Sequence, residues 1–179
     1  MVQKLSMADL GRPSLSQFAQ SPKLPVIFIC DNIRSALNVG SIFRTADAFA
    51  VQQLILVGIT QIPPHKEILK TSLGAEKSVL WSYEQNLNTA IQKVKEEDFM
   101  VIGIEQTTRS RSLALHHFYP EHKVAFIFGN EVSGVTSEGL ELCDDWLEIP
   151  QSGTKHSLNV AVSAGILGWE FYKQHHQSK

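Results

Sequence analysis

Cysteine is scarce in this chain, and the features that mark secreted and membrane proteins are missing. Cys30 and Cys143 are the two cysteines among 179 residues, and both lie in apolar stretches far apart. This indicates reduced core thiols of a cytosolic protein and argues against a disulfide framework. Residues 1–10 lack the apolar core of a signal peptide. Because no apolar run approaches membrane-spanning length, we expect a cytoplasmic protein with no membrane partner.

An excess of positive charge is also lacking. The chain has 16 Lys and Arg against 18 Asp and Glu, and its formal net charge is −2 with His neutral. Any binding of nucleic acid must therefore depend on a local basic patch. With 43% hydrophobic and 19% charged residues, a chain of this length suits one well-buried core and is short for two domains. We expect an N-terminal arm over residues 1–23 and a single domain over residues 24–179.

Several catalytic motifs are absent. Gly129 and Gly134 bound a polar loop, but no Lys-Ser/Thr follows, which excludes a P-loop. No G-x-S-x-G turn gives Ser133 the context of a nucleophile. The first apolar run is not followed by G-x-G-x-x-G, which argues against ordinary dinucleotide binding. The histidines within residues 116–122 have neither H-E-x-x-H spacing nor cysteines beside them, so we expect no metal site.

Short apolar runs alternate with helical patterns along the whole chain. Strands are predicted at 25–30, 53–58, 99–104, 124–128 and 146–149, and helices at 38–49, 65–73, 84–98, 136–143 and 157–172. Residues 5–10 have the composition of a further short helix in the arm. This alternation predicts an α/β fold, with a mostly parallel sheet and helices on both faces.

The run at 124–128 is the clearest buried strand, and it ends abruptly in a polar loop. Gly129, Asn130 and Glu131 follow it directly, and Ser133 and Gly134 close the loop. Open α/β sheets bind their ligands at the carboxyl edge, so this loop is a candidate binding site. The alternative is a tight turn that uses its two glycines for positive φ.

The loop after the first strand leads into a helix that carries Asn38 and Arg44. Asn38 is a suitable N-cap, and Ile42, Ala46 and Phe49 form one apolar stripe. Arg44 lies off the centre of that stripe, near the carboxyl edge of the sheet, where a helix start and a cation suit a polyanion. The alternative is an arginine that is only solvated, as most arginines on helix surfaces are.

The last predicted helix is apolar nearly all the way round, so it must be covered on more than one side. In so small a protein this suggests a second subunit, and we expect a homodimer through the C-terminal helix. The residues small enough to allow close approach are Ala161, Ala164, Gly165 and Gly168.

Three separated segments resemble, in order, the motifs of the SpoU/TrmH branch of the SPOUT RNA methyltransferases. They are residues 38–46, residues 126–134 running on to 147–150, and residues 157–164, within a similarity that covers about residues 24–173. The resemblance implies a C-terminal trefoil knot, a homodimer and S-adenosylmethionine as the methyl donor. It also implies methyl transfer to a ribose 2′-hydroxyl of tRNA or rRNA.

The resemblance also implies roles for individual residues. The arginine that matches Arg44 activates the hydroxyl; because a guanidinium does not readily lose a proton, we expect Arg44 to orient the hydroxyl electrostatically. The residues expected to hold Arg44 and the ribose are Asn38, Glu131, Ser157 and Asn159. The residues expected to contact the cofactor, largely through main chain, are Gly129, Ile149 and Leu158, and Ile104, Asn130 and Gly134 complete that set.

The sequence leaves the substrate open. No larger RNA-binding domain or long basic C-terminal extension is visible, so the candidates for RNA contact are the arm, residues 66–77 and residues 109–111. An alternative function is an RNA-binding or assembly protein that kept the fold and lost catalysis. A third is a methyltransferase for small molecules.

Overall fold

The computed structural model describes residues 2–6 and 9–177, and a parallel sheet forms the centre of this part of the chain. The strands are β1 (Leu24–Asp31), β2 (Val51–Val57), β3 (Trp81–Glu84), β4 (Met100–Ile104), β5 (Arg111–Ser112), β6 (Val124–Phe128) and β7 (Asp145–Glu148). Their order in the sheet is β3-β2-β1-β6-β4-β7-β5, and all neighbouring strands are parallel. The predicted α/β fold with a parallel sheet is confirmed.

The helices of the described residues lie between the strands and at the two ends. They are α1 (Leu15–Gln20), α2 (Ala36–Ala48), α3 (Lys66–Ser72), α4 (Leu87–Glu96), α5 (Ser137–Glu141) and α6 (Val160–Gln177). Helix α1 buries none of its residues, and the division into an arm and one domain stays a prediction. Of the short helix predicted over 5–10, Met7 and Ala8 lie outside the described residues, and residues 9–11 form a turn.

Apolar layers cover both faces of the sheet. Side chains alternate across a strand, so Val26 and Phe28 of β1 join the core formed with α2, α3 and α6. Ile27 and Ile29 point the other way and join the core formed with α4. All residues of β6 are buried, as predicted for a strand covered on both faces.

Two strands, β3 and β5, were not predicted, and they form the two edges of the sheet. Strand β3 pairs with β2 and is half exposed, and its sequence mixes polar and aromatic residues rather than forming an apolar run. Strand β5 has two residues. The helix predicted over 84–98 is shorter because Glu84 belongs to β3. The Asn86 side chain then caps α4 by accepting a hydrogen bond from the Thr89 amide at 2.9 Å.

The C-terminal helix packs on its own sheet more closely than predicted. Gly168 is buried, and a Cβ there would lie 2.9 Å from Cδ2 of Phe49 in the same subunit. Ala164 is fully buried as well. The expectation that Gly168 faces a partner subunit is therefore wrong. A Cβ on Gly165, by contrast, would meet no described atom within 4 Å.

Both cysteines occupy the predicted core positions and are unpaired. Burial raises the pKa of the Cys30 and Cys143 thiols to about 12. Among the described residues, no group of His, Cys, Asp and Glu could hold a metal ion, and no helix is long and apolar enough to cross a membrane. The trefoil knot concerns the path of the chain and stays a prediction.

Candidate active site

A cavity of about 870 Å³ opens at the carboxyl edge of the sheet, where β4, β6 and β7 end. Most of its lining comes from within residues 104–108, 128–135, 148–151 and 156–160. The predicted site residues that line it are Ile104, Gly129, Asn130, Glu131, Gly134, Ile149, Ser157, Leu158 and Asn159. The fold therefore brings the segments that follow three different strands, β4, β6 and β7, to one edge.

The loop after β6 is held in shape by Asn130. Its Oδ1 accepts hydrogen bonds from the amides of Val132 at 2.9 Å and Ser133 at 3.2 Å. Its main chain pairs with Gly134, which has a φ of +67° that favours glycine. Gly129 has no room for a side chain, because a Cβ would lie 2.2 Å from the Val135 nitrogen. The two glycines thus serve a tight turn and border the cavity as well.

Glu131 ties this loop to the start of α2. Its carboxylate accepts hydrogen bonds from the amides of Arg34 at 2.8 Å and Ser35 at 3.1 Å, and from Nδ2 of Asn38 at 2.9 Å. Burial raises the pKa of Glu131, but the hydrogen bonds together outweigh it and hold the pKa below its ordinary value of 4.5. A carboxylate is also favoured at the amino end of a helix, where unpaired amides point outward.

Asn38 does not cap α2 as predicted. The helix begins at Ala36, and the Ser35 side chain caps it by accepting a hydrogen bond from the Asn38 amide at 3.3 Å. This leaves the Asn38 side chain available for the site, where it donates to Glu131 and accepts from Nδ2 of Asn159 at 3.1 Å. Asn159 in turn accepts from the Ala161 amide at 2.9 Å, at the start of α6. One chain of hydrogen bonds therefore links all three motif segments.

Arg44 does not line this cavity. It borders a second cavity of about 610 Å³ together with Ser41, Lys70 and Gly165. Six residues along a helix correspond to about 9 Å of rise and about 120° of rotation, which separates Arg44 from Asn38. Within one subunit Arg44 therefore borders a different cavity from the Gly129 loop, and its expected role in the site stays a prediction.

Several cavity residues were missed by the sequence reasoning. Glu105, Gln106 and Thr107 follow β4 and line the cavity, and His156 lines it from the opposite segment. Gln106 Nε2 donates to the His156 carbonyl oxygen at 2.7 Å. For residues 105–107 the available signal was their position directly after the buried strand β4, the same signal that identified the loop after β6, whereas His156 lies eight residues beyond the end of β7.

Asp31 ends β1 and is 1% exposed. Its Oδ1 accepts a hydrogen bond from Nδ2 of Asn32 at 2.7 Å, whereas its Oδ2 has no hydrogen-bond partner among the described residues. Burial raises the pKa of Asp31 above its ordinary value of 3.8. Asp31 is thus a costly buried group that does not line the cavity.

The segments suggested for RNA contact differ in how much of their charge is available. Lys66 and Lys70 are exposed on α3. The Arg109 guanidinium stacks 4.2 Å from the ring centre of Trp146, and Arg111 forms an ion pair with Asp145. These arginines therefore already have contacts within the chain.

A family model described as the SpoU rRNA methylase family matches residues 25–169. A putative TrmH family tRNA/rRNA methyltransferase from Staphylococcus haemolyticus is 32% identical over 90% of this chain and 65% of its own length. A 23S rRNA (guanosine-2′-O-)-methyltransferase from Neisseria meningitidis is 31% identical over 84% of this chain and 59% of its own length. The chain thus spans less than two thirds of these curated relatives.

Solved structures share the fold. A TrmH/SpoU tRNA modifying enzyme from A. aeolicus has a TM-score of 0.80 and 24% identity, covering 92% of this chain and 82% of that one. The SpoU methyltransferase AviRb from Streptomyces viridochromogenes, solved with the cofactor AdoMet, has a TM-score of 0.78 and 22% identity, covering 89% of this chain and 64% of that one. At these identities the likeness concerns the fold alone.

Proposed function

The chain belongs to the SpoU rRNA methylase family, and on that premise we propose that it transfers a methyl group from S-adenosylmethionine to a ribose 2′-hydroxyl of tRNA or rRNA. The observation that carries the proposal is the chain of hydrogen bonds from Glu131 through Asn38 to Asn159. It joins residues far apart in the sequence at the rim of one cavity, which a fold without a site there would not require.

The cavity suits the cofactor in size and in charge. About 870 Å³ lies within the usual range of small-molecule pockets. Its lining in the described chain includes the carboxylates of Glu105, Glu131 and Glu148 and contains no Lys or Arg, which favours a cationic ligand. Main-chain groups of Gly129, Ile149 and Leu158 are available to hold an adenine ring. When bound there, S-adenosylmethionine supplies a methyl group on a sulfonium sulfur.

The polar residues at the rim are suited to holding a ribose. Glu131 fixes the direction of the Asn38 amide, because a carboxylate only accepts hydrogen bonds. Asn38 then fixes Asn159, and Ser157 lies beside it on the cavity wall. Pre-oriented groups of this kind lower the cost of placing a hydroxyl in line with a methyl donor.

We assign Arg44 to the site of a second subunit. Helix α6 lines the main cavity at Val160 and the Arg44 cavity at Gly165. Its outer face exposes Val162 by 50% and Trp169 by 52%. Because an exposed apolar strip is typical of an interface, a homodimer packed on this face would carry Arg44 toward the partner's cavity. There its fixed positive charge would stabilise the developing oxyanion, and a substrate phosphate can take the proton.

Two measurements test this function. Calorimetric titration with S-adenosylmethionine should show binding, and mapping of 2′-O-methyl groups in total RNA should reveal sites that vanish when the gene for this protein is deleted. Binding of RNA without binding of the cofactor would instead favour an RNA-binding or assembly protein that has lost catalysis. Methylation of metabolites but not of RNA would also contradict the proposal.

A further inference from the structure

Glu105 is a half-buried carboxylate on the wall of the main cavity, at the first position after β4. Its main chain joins two neighbouring segments. The Glu105 amide donates to the Leu147 carbonyl oxygen of β7 at 3.1 Å, and its carbonyl oxygen accepts from the Ser110 hydroxyl at 2.7 Å. The backbone that carries this side chain is therefore fixed to the sheet.

Both oxygens of the Glu105 carboxylate are used. Oε1 accepts a hydrogen bond from the Gln106 amide at 2.9 Å, and Oε2 accepts one from the Val135 amide at 3.1 Å. Val135 comes directly after the loop bounded by Gly129 and Gly134. Hydrogen bonds to a charged acceptor are stronger than those to a neutral one, so this contact anchors the end of the loop to β4.

Gly134 leaves the space that the Glu105 carboxylate occupies. A Cβ on Gly134 would lie 2.1 Å from Oε2 of Glu105, so a larger residue would push the carboxylate away from the Val135 amide. The loop thus packs its glycine directly against the acceptor that holds its end.

The other anchors of the loop lie on the opposite side. Glu131 reaches the amides that begin α2, and Nδ2 of Asn130 donates to the Asn32 carbonyl oxygen at 2.7 Å. These contacts tie the loop to the β1–α2 side, where the ribose-holding residues lie. The Glu105 carboxylate instead ties the end of the loop to β4, on the side of Ile104 and the cavity wall.

We propose that Glu105 is a positioning residue for the cofactor: it holds the Gly129–Gly134 loop against β4, so that the main chain of the loop presents a pre-formed wall to the adenosyl group. This inference rests on the proposed function. Without Glu105 the loop stays attached on the ribose side and loosens on the cofactor side. Cofactor affinity therefore falls, while RNA handling changes little.

The test compares Glu105→Gln with Glu148→Gln in the purified protein. Gln keeps one acceptor oxygen but has no charge, so the contact with the Val135 amide is lost when that oxygen faces Gln106 and loses its charged acceptor when it faces Val135. Glu148 is also a half-buried carboxylate on the same wall, so its substitution removes the same charge from the cavity. Titration calorimetry with S-adenosylmethionine, and separate KM values for the cofactor and for RNA, are measured for both.

We expect Glu105→Gln to weaken cofactor binding about tenfold, the size of one charge-assisted hydrogen bond. The KM for the cofactor should rise by a similar factor, while the KM for RNA stays within about twofold. Unchanged cofactor affinity in Glu105→Gln would overturn the proposal. An equal loss of cofactor affinity in Glu148→Gln would overturn it as well, because it would mean that only the charge of the cavity matters. If the unsubstituted protein binds no S-adenosylmethionine, the proposed function itself fails.

A second measurement does not depend on how well the variant folds. In the unsubstituted protein without cofactor, the Val135 amide should exchange its hydrogen slowly, because its acceptor is in place before any ligand binds. Exchange of Val135 at the rate of an unprotected amide would show that the wall is not pre-formed and would overturn the inference.

Discussion

Replacing Glu131 with Gln weakens the contact that joins the Gly129–Gly134 loop to α2. The carboxylate accepts three hydrogen bonds, from the amides of Arg34 and Ser35 and from Nδ2 of Asn38. Gln has one acceptor oxygen, and its NH₂ group would face donors. With its oxygen in the place of Oε1, Gln keeps the hydrogen bonds from Ser35 and Asn38 but loses their charged acceptor, and its NH₂ group faces the Arg34 amide, so that third contact is lost.

The size of the effect follows from one hydrogen bond that is lost and two that are weakened. The lost bond contributes about 1 kcal/mol at this exposed position, because solvent competes for the same groups, and each weakened bond loses about half of that with its charged acceptor. The free energy of unfolding should therefore fall by about 2 kcal/mol, which lowers Tm by about 4–8 °C in a domain of this size. Misplacing Asn38 by even about 1 Å should reduce methyl transfer about a hundredfold.

The pH dependence gives the sharpest check. Hydrogen bonds hold the pKa of Glu131 below its ordinary value of 4.5 in the folded protein. Its stabilising effect is therefore complete above the unfolded pKa and is lost as pH falls through the lower folded pKa. In urea unfolding at pH 7, Glu131→Gln should have a lower free energy of unfolding than the unsubstituted protein, and this difference should disappear in acid. Exposed Glu121 gives a matched control. Equal stability at pH 7, or a gap that persists in acid, would refute the reasoning.

Three further predictions concern other parts of the chain. Asp31→Asn should raise Tm at pH 7.5, because it removes a buried carboxylate whose pKa is raised in the folded protein. This gain in Tm should vanish as pH falls toward the ordinary pKa of 3.8, and a gain that does not depend on pH would contradict the prediction. Arg44→Ala should abolish methyl transfer while calorimetry shows nearly unchanged cofactor affinity; equal loss of both would mean that its role is wrongly assigned. Trp169→Asp should weaken a dimer formed by α6, whereas Leu115→Asp, exposed elsewhere on the surface, should not; identical sedimentation profiles would exclude this interface.

The central strands were predictable because each is an apolar run that must be covered on both faces. Strands β1, β2, β4 and β6 were all placed within two residues of their observed ends. The edge strand β3 has one sheet neighbour and retains polar residues such as Ser82, which bonds to Gln53, so no apolar run revealed it.

The sequence predicted which residues belong to the site but not which contacts they make. Asn38 was expected to cap α2, yet Ser35 does so, and both choices satisfy local capping rules. What decides between them is Glu131, which lies more than 90 residues away and binds the Asn38 side chain. Likewise, the small residues of α6 fit either a partner or the same sheet, and Gly168 proved to face Phe49. Periodicity gives the face of a helix, not its neighbour.

The directions of the hydrogen bonds favour a carboxylate at position 131. Asn38 and Asn159 each carry both a donor and an acceptor, so their contact with each other alone fixes neither orientation. Glu131 can only accept, which points Nδ2 of Asn38 toward it and leaves Oδ1 for Asn159. Asn159 Oδ1 is then free to accept from the Ala161 amide in the first turn of α6. An acceptor-only carboxylate at one end and a donor-only amide at the other thus favour the same orientation of both side chains, whereas a Gln at position 131 would leave this to the Ala161 amide alone.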